Sequence, residues 1–211
     1  MKMKNILIAL SLFMLPSASF AEEAEQKIEV ELLEEGSVSE EKGLEHWAKI
    51  YEVFSHPRCA NCHVDEGGIP IWSGPSYGPE PQPHGMNVKA GESRVGAETI
   101  LCSTCHTKHN GSIEHAPPGA HVWHLPPPEM VWYEKSSAEI CAQIQDPERN
   151  GERTMKNIAE HIANDELVHW GWDPGPGREP APYSAKINVM DILAWTAAGN
   201  PCPQAEGETD G

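Results

Sequence analysis

The sequence predicts a small, mainly α-helical protein with many loops and few or no strands. Three observations support this fold class. Four segments carry helix caps or space their apolar residues as one face of a helix does. The 211-residue chain contains 19 prolines and 18 glycines, which favour turns over long regular elements. No segment alternates apolar and polar residues over a convincing strand length.

The first predicted helix is the stretch GLEHWAKIYEVFSH, which comes before Pro57. Leu44, Trp47, Tyr51 and Phe54 recur every three or four residues, and this spacing places them on one helix face. Proline cannot continue a helix because it lacks the backbone N–H. The helix is therefore expected to end at Pro57.

Three more helices are predicted in the C-terminal part of the chain. Ser136 and Glu139 have the spacing of a capping box before the sequence EICAQIQ. Residues 153–164 place apolar side chains on one side of a helix, and residues 184–199 run from a serine cap to a glycine stop. The chain between the first helix and these three is rich in proline and glycine, so loops are expected there.

The N-terminus has the pattern of a secretory signal peptide. Lys2 and Lys4 precede a ten-residue apolar run, and Ser19 and Ala21 are small residues at the expected cleavage site. The apolar run is too short to span a bilayer, and no later segment is apolar enough to do so. We therefore predict a soluble, exported protein, located in a bacterial periplasm.

The chain divides into four predicted regions. Their expected bounds are a signal peptide at 1–21, an acidic disordered arm at 22–42, one domain at 43–203 and a disordered tail at 204–211. The arm is mostly glutamate with few aromatic residues, a composition that favours mobility.

The charge of the chain restricts its partners. The formal net charge is −17, and such a surface repels nucleic acid and anionic lipid. It favours a protein partner with a basic docking surface. Simple solubility is an alternative explanation for the same charge.

Two short motifs of the form Cys-x-x-Cys-His carry the chemistry. They are formed by Cys59, Cys62 and His63, and by Cys102, Cys105 and His106. This spacing is typical of covalent c-type haem attachment, in which the thiols bind the haem vinyl groups and the histidine is the proximal iron ligand. A redox dithiol and a zinc site also use Cys-x-x-Cys. Two copies, each followed by histidine in an exported chain, favour two covalent haem c groups over both alternatives.

The two motifs are close together in the sequence. They begin at Cys59 and Cys102, which is a short separation for two complete cytochrome domains. We therefore expect a di-haem cytochrome c-like fold in which both haems share one protein shell.

The sixth ligand of each iron has several candidates. His84 is predicted for the first haem and Met130 for the second, with His161 as the leading substitute, and the assignments are interchangeable between the haems. His121 and His124 are further candidates. Histidine or methionine in this position gives an electron-carrying haem, and methionine raises the potential.

Three other residues are given roles from their context. Cys141 and Cys202 remain after the haem motifs, and in an oxidising compartment such a pair predicts a disulfide; two unpaired thiols are the alternative. Arg178 is a candidate partner for a haem propionate, because arginine suits planar carboxylates.

Several strings give the chain a family resemblance. FSHPRCANCH, PHGMNV, WHLPPPEMVW, DPERNG and LVHWGWDPGPGREPAP, spread over residues 45–203, resemble a family of exported di-haem c-type proteins. Many members carry the label isoquinoline 1-oxidoreductase subunit. The resemblance implies binding of two haems and, at most, electron transfer from a periplasmic dehydrogenase. It also adds weight to His84 and Met130 as ligands.

Two classes of function follow from these predictions. The first is an electron-transfer protein with two six-coordinate haems, free-standing or docked in a larger complex. The second is a haem enzyme, or a sensor of peroxide or a gas, in which one haem is five-coordinate. The sequence favours the electron carrier and leaves an enzymatic role open.

Overall fold

A computed structural model describes residues 28–65, 67–78 and 80–205. The predicted signal peptide and nearly all of the predicted tail lie outside these ranges. The helices are α1 (Glu40–Phe54), α2 (Pro57–Ala60), α3 (Ser137–Gln145), α4 (Pro147–Asn150), α5 (Met155–Asn164), α6 (Glu166–His169) and α7 (Ala185–Ala197). The strands are β1 (Ile71–Trp72) and β2 (Gln82–Pro83), and short 3-10 helices span Pro75–Tyr77, Gly85–Asn87 and Cys102–Thr104. The mainly helical, loop-rich class is confirmed.

Helix α1 begins a few residues earlier than the apolar spacing predicts. The hydroxyl of Ser39 caps it by accepting a hydrogen bond from the Lys42 backbone N–H at 3.4 Å. Glu40 and Glu41 lie in the first turn, where the helix dipole favours negative charge. The buried face includes Trp47, Ile50, Val53 and Phe54. The helix ends before Pro57, as predicted.

The core is formed by the four longer helices. α7 packs against both α1 and α5, and α1 also contacts α3. Trp47 of α1 and Trp195 of α7 meet in this core, with ring centroids 4.9 Å apart. The predicted capping box at Ser136 and Glu139 is present at the start of α3. Cys59 of the first motif packs against this core.

The described part of the predicted acidic arm is not a free segment. Ile28 and Val30 pack against the helical core. The backbone N–H of Gly36 donates to the Ala197 carbonyl at 2.7 Å, and α1 already begins at Glu40. The prediction of disorder over 22–42 is therefore wrong for residues 28–42, because apolar side chains among them pack against the helical core.

The predicted pairing of Cys141 with Cys202 is present. Their sulfur atoms lie 2.04 Å apart, which is disulfide distance. Cys141 is fully buried on α3, and Cys202 follows α7. The Trp195 indole N–H donates to the Pro201 carbonyl at 2.8 Å. Together these contacts fix the segment after α7 to the helical core.

The long segment between α2 and α3 is mostly loop. Among its described residues, the one regular pairing is antiparallel, between β1 and β2, with Ile71 opposite Pro83 and Trp72 opposite Gln82. Within the described ranges, no helix is both long enough and apolar enough to cross a bilayer.

Candidate functional site: two adjoining cavities built around the cysteine–histidine motifs

The first motif begins inside the short helix α2. His56 caps this helix, because its ring nitrogen accepts a hydrogen bond from the Arg58 backbone N–H at 3.2 Å. A tight turn follows, in which the Cys62 backbone N–H donates to the Cys59 carbonyl at 3.1 Å. The turn brings both thiols and the His63 imidazole to the wall of one cavity of about 280 Å³.

His63 is held in a fixed orientation. Its Nδ1 lies 3.0 Å from the Met130 carbonyl oxygen, and since a carbonyl only accepts, Nδ1 carries the proton. The ring stacks on Trp132. Burial lowers the pKa of His63 to about 3, so the imidazole is neutral. Its other nitrogen, Nε2, is therefore left with a lone pair for a metal ion.

The second motif reaches the same arrangement from a different local structure. Cys102 begins a 3-10 helix, and the His106 backbone N–H donates to the Cys102 carbonyl at 3.0 Å. The Nδ1 of His106 donates to the Pro118 carbonyl at 2.8 Å. Trp123 stacks on the ring, with centroids 4.3 Å apart and planes inclined by 7°. Burial lowers the pKa of His106 to about 4.

The two motifs lie in adjoining cavities. The second, of about 90 Å³, is lined by Cys102, Cys105 and His106. Both cavities share part of their walls, formed by Arg58, Cys62, Trp123, His124 and Trp170. The two motifs therefore lie on either side of one common wall, and the sharing of one shell by two haems stays a prediction.

The thiols of the first motif are unsuited to dithiol chemistry. All four motif cysteines are free. Burial raises the pKa of Cys59 to about 12 and that of Cys62 to about 11. Redox-active dithiols require a lowered thiol pKa, because the thiolate is the nucleophile.

Among the described residues, no group of three or more His, Cys, Asp and Glu side chains is arranged to hold a metal ion.

His84 lies beside the second motif rather than the first. It lines the second cavity, and its ring centroid is 6.0 Å from that of His106. Of the two interchangeable assignments that the sequence leaves open for His84, the fold therefore favours the second motif. The hairpin of β1 and β2 carries His84 across to the second motif.

Met130 lies on the first cavity, although the sequence assigns it to the second haem. Its carbonyl accepts a hydrogen bond from His63 Nδ1. The backbone of Met130 therefore orients the ring of His63. His161 also lines the first cavity. Its Nδ1 lies 3.3 Å from an oxygen of Asp165, and burial lowers the pKa of His161.

The remaining candidate histidines lie in varied positions. His124 lines both cavities. His121 is exposed and lies 3.7 Å from the Glu166 carboxylate. His109 and His115 are also exposed.

Arg58 is the functional candidate that sequence reasoning missed. Its side chain is only 3% exposed, and it lines both cavities. One guanidinium nitrogen donates to the Ser73 carbonyl at 2.9 Å and to Glu179 at 3.2 Å, while its buried Nε has no partner. The guanidinium lies 5.7 Å from the ring centroid of Tyr77. Its position directly before the first cysteine was the available signal.

Arg178 lies at the second cavity alone. Its Nε donates to the Tyr77 hydroxyl at 2.6 Å, and its terminal nitrogens donate to the carbonyls of Ala116 and Pro174. Both arginines fit the chemistry of a carboxylate-bearing cofactor, since a guanidinium pairs well with carboxylates. The donor set of each motif, two thiols and one neutral imidazole against apolar walls, also fits a haem group.

Comparison with known proteins adds no relative: no family model, curated protein or solved structure matches this chain. The family resemblance of the sequence strings stays a prediction.

Proposed function

We propose that this chain is an exported di-haem c-type cytochrome that transfers electrons. Cys59, Cys62 and His63 would hold one haem, and the second motif, Cys102, Cys105 and His106, would hold the other. Bound haem would supply one-electron redox chemistry at its iron. The protein would supply attachment, ligand orientation and a shared, partly apolar environment.

The repeated histidine geometry carries this proposal. In both motifs, Nδ1 donates to a backbone carbonyl and the ring stacks on a tryptophan. Metal-binding histidines commonly donate their second N–H in this way, which fixes the tautomer and the ring orientation. The two histidines achieve it through unrelated loops, so a common ligand explains the repetition better than common packing.

The adjoining cavities and the chain charge support a role as a carrier. Because both motifs share the wall that contains Arg58 and Trp123, the two cofactors would lie close enough to exchange electrons. The net charge of −17 favours a redox partner with a basic surface. The family resemblance suggests a periplasmic dehydrogenase as the donor, in keeping with the predicted signal peptide.

Intact-protein mass spectrometry tests the attachment. Protein made in a host that attaches c-type haem should gain the mass of two haems. Cys59→Ala/Cys62→Ala and Cys102→Ala/Cys105→Ala should each keep one. Cys141→Ser/Cys202→Ser is the matched control, because it changes two cysteines outside both cavities and should keep two haems. If either motif variant kept two covalent haems, the assignment of that motif would be wrong.

A haem enzyme or sensor is the second candidate function. The first cavity is the larger, and it is lined by the ionisable groups His161, Asp165, Arg94 and Arg153. Such groups transfer protons or stabilise charge in haem enzymes. Absorption spectra of the reduced protein with and without CO separate the two functions. No change supports the carrier, whereas CO binding to half of the haem would favour the enzyme or sensor.

A further inference from the structure

The position of His84 depends on the short hairpin of β1 and β2. The His84 backbone N–H donates to the Pro70 carbonyl at 2.8 Å, directly after the paired residues of β2. Trp72 packs edge-on against the His84 ring, with centroids 5.9 Å apart. Two residues with positive φ follow, Met86 at 60° and Asn87 at 52°. This backbone conformation is costly for residues other than glycine and often occurs at functional sites.

The rings of His84 and His106 are equivalent in their hydrogen bonding. His84 donates from Nδ1 to the Gly85 carbonyl at 2.9 Å, and His106 donates from Nδ1 to the Pro118 carbonyl at 2.8 Å. Each ring therefore has Nε2 left as its metal-binding atom. Both residues line the second cavity.

The separation of the two rings matches the span of two histidines bound to one metal ion. A metal–histidine nitrogen bond is about 2 Å long, so two histidine rings that bound one ion from opposite sides would have centroids on the order of 6 Å apart. The observed separation is 6.0 Å.

We propose that His84 is the sixth ligand of the second haem, opposite His106. The inference rests on the proposed function, since it requires haem at the second motif. Two histidine ligands close this iron to small molecules and give it a lower potential than a histidine–methionine pair would. The second haem is then a pure electron-transfer centre. Any binding of CO or peroxide by this protein belongs to the first haem.

The test uses haem-loaded protein that carries only the second haem, obtained with Cys59→Ala/Cys62→Ala. In this background the reduced protein should not bind CO, and its ferric spectrum should be low-spin. Adding His84→Gly should make the ferric haem high-spin and allow stoichiometric CO binding. Added imidazole should restore the low-spin spectrum, because it replaces the missing ring. His109→Ala, an exposed histidine change, is the matched control and should alter neither readout.

Three outcomes would overturn the inference. The first is a His84→Gly protein whose ferric haem stays low-spin and whose reduced haem does not bind CO. The second is CO binding by the Met86→Leu protein together with no CO binding by the His84→Gly protein. Met86 lines the same cavity and would then be the ligand. The third is CO binding in the Cys59→Ala/Cys62→Ala protein that keeps His84. Failure of the proposed function looks different, because the parent protein would then carry no covalent haem in its mass spectrum.

A second variant covers the case in which His84→Gly does not fold. His84→Met keeps a coordinating side chain at the same place in the hairpin. It should retain a six-coordinate spectrum and raise the midpoint potential of the second haem relative to the parent. An unchanged potential in this folded variant would also overturn the assignment of His84.

Discussion

The imidazole of His63 lies flat against the indole of Trp132, with ring centroids 3.5 Å apart and planes inclined by 2°. The Trp132 backbone N–H also donates to the His63 carbonyl at 2.8 Å. Phe54 of α1 stacks on the same indole, with centroids 4.6 Å apart. A single tryptophan thus connects the first motif histidine to the helical core.

Trp132→Ala is therefore expected to destabilise the protein strongly. Truncating a buried aromatic side chain costs about 3–5 kcal/mol, and this change also frees the His63 ring. Thermal unfolding of the haem-loaded protein, followed at the haem Soret band, should show a clear drop in Tm. Trp123→Ala is the matched control at the half-buried second stack, and should cause a smaller drop. An unchanged Tm in Trp132→Ala would contradict this role.

On the proposed function, Arg58→Gln should lower the midpoint potentials of both haems. A buried cation favours Fe(II) over Fe(III), because the reduced iron carries one positive charge less. Arg58 lines both cavities, so its loss should affect both irons. Glu179→Gln should shift both potentials upwards, since it removes the carboxylate that Arg58 pairs with at 3.2 Å. A spectroelectrochemical titration measures both changes.

Two further variants show whether charge is the cause. Arg58→Lys keeps the positive charge and should keep both potentials closer to those of the parent protein. Arg178→Gln should shift only the second haem, because Arg178 lines only the second cavity. Equal shifts of both haems in Arg178→Gln would show that the effect is not local charge.

His161→Ala should open the first haem. His161 lines the first cavity, and Asp165 fixes its Nδ1, which leaves Nε2 for the iron. One haem per molecule should become high-spin and bind CO when reduced. His121→Ala changes an exposed histidine, and its absorption spectrum should be the same as that of the parent protein. CO binding by half of the haem in the parent itself would remove His161 as a ligand and favour the enzyme or sensor.

Replacing the disulfide with Cys141→Ser/Cys202→Ser should destabilise the fold without loss of haem. The bond joins residues separated by 61 positions, and the chain-entropy model assigns such a loop about 4 kcal/mol of stability. Urea unfolding of the oxidised parent and the variant measures the difference in the free energy of unfolding. Equal stability of the two proteins would mean that other contacts, such as the bond from Trp195 to Pro201, hold the segment alone.

The long helices were predictable because their signals are local. The apolar spacing of α1, the capping box at Ser136 and Glu139, and the serine cap of α7 each lie within a few residues of the helix. The short helices α4 and α6 were missed, because four residues are too few to show a helical period. Their signal was the aspartate cap before each, Asp146 and Asp165.

The residues of the site were predictable, but the motif that each supporting residue contacts was not. The motif spacing identifies six residues by type alone. The motif that each candidate sixth ligand reaches depends on a hairpin whose two strands are only two residues long. This hairpin lies in a loop with no periodic pattern, and it places His84 beside His106. The tryptophans that support the motif histidines, Trp132 and Trp123, follow them in sequence by 69 and 17 residues, and no local rule predicts such contacts.

The wall shared by the two cavities has a consequence for stoichiometry. If each cavity held one haem, as proposed, Trp123 and Cys62 would lie in the wall between the two haems, and one molecule would hold a pair of electrons. A donor that releases two electrons at a time could then pass both to one molecule of this protein in a single encounter, without a second carrier. On the proposed function, the shared wall makes this chain a two-electron shuttle assembled from one-electron centres.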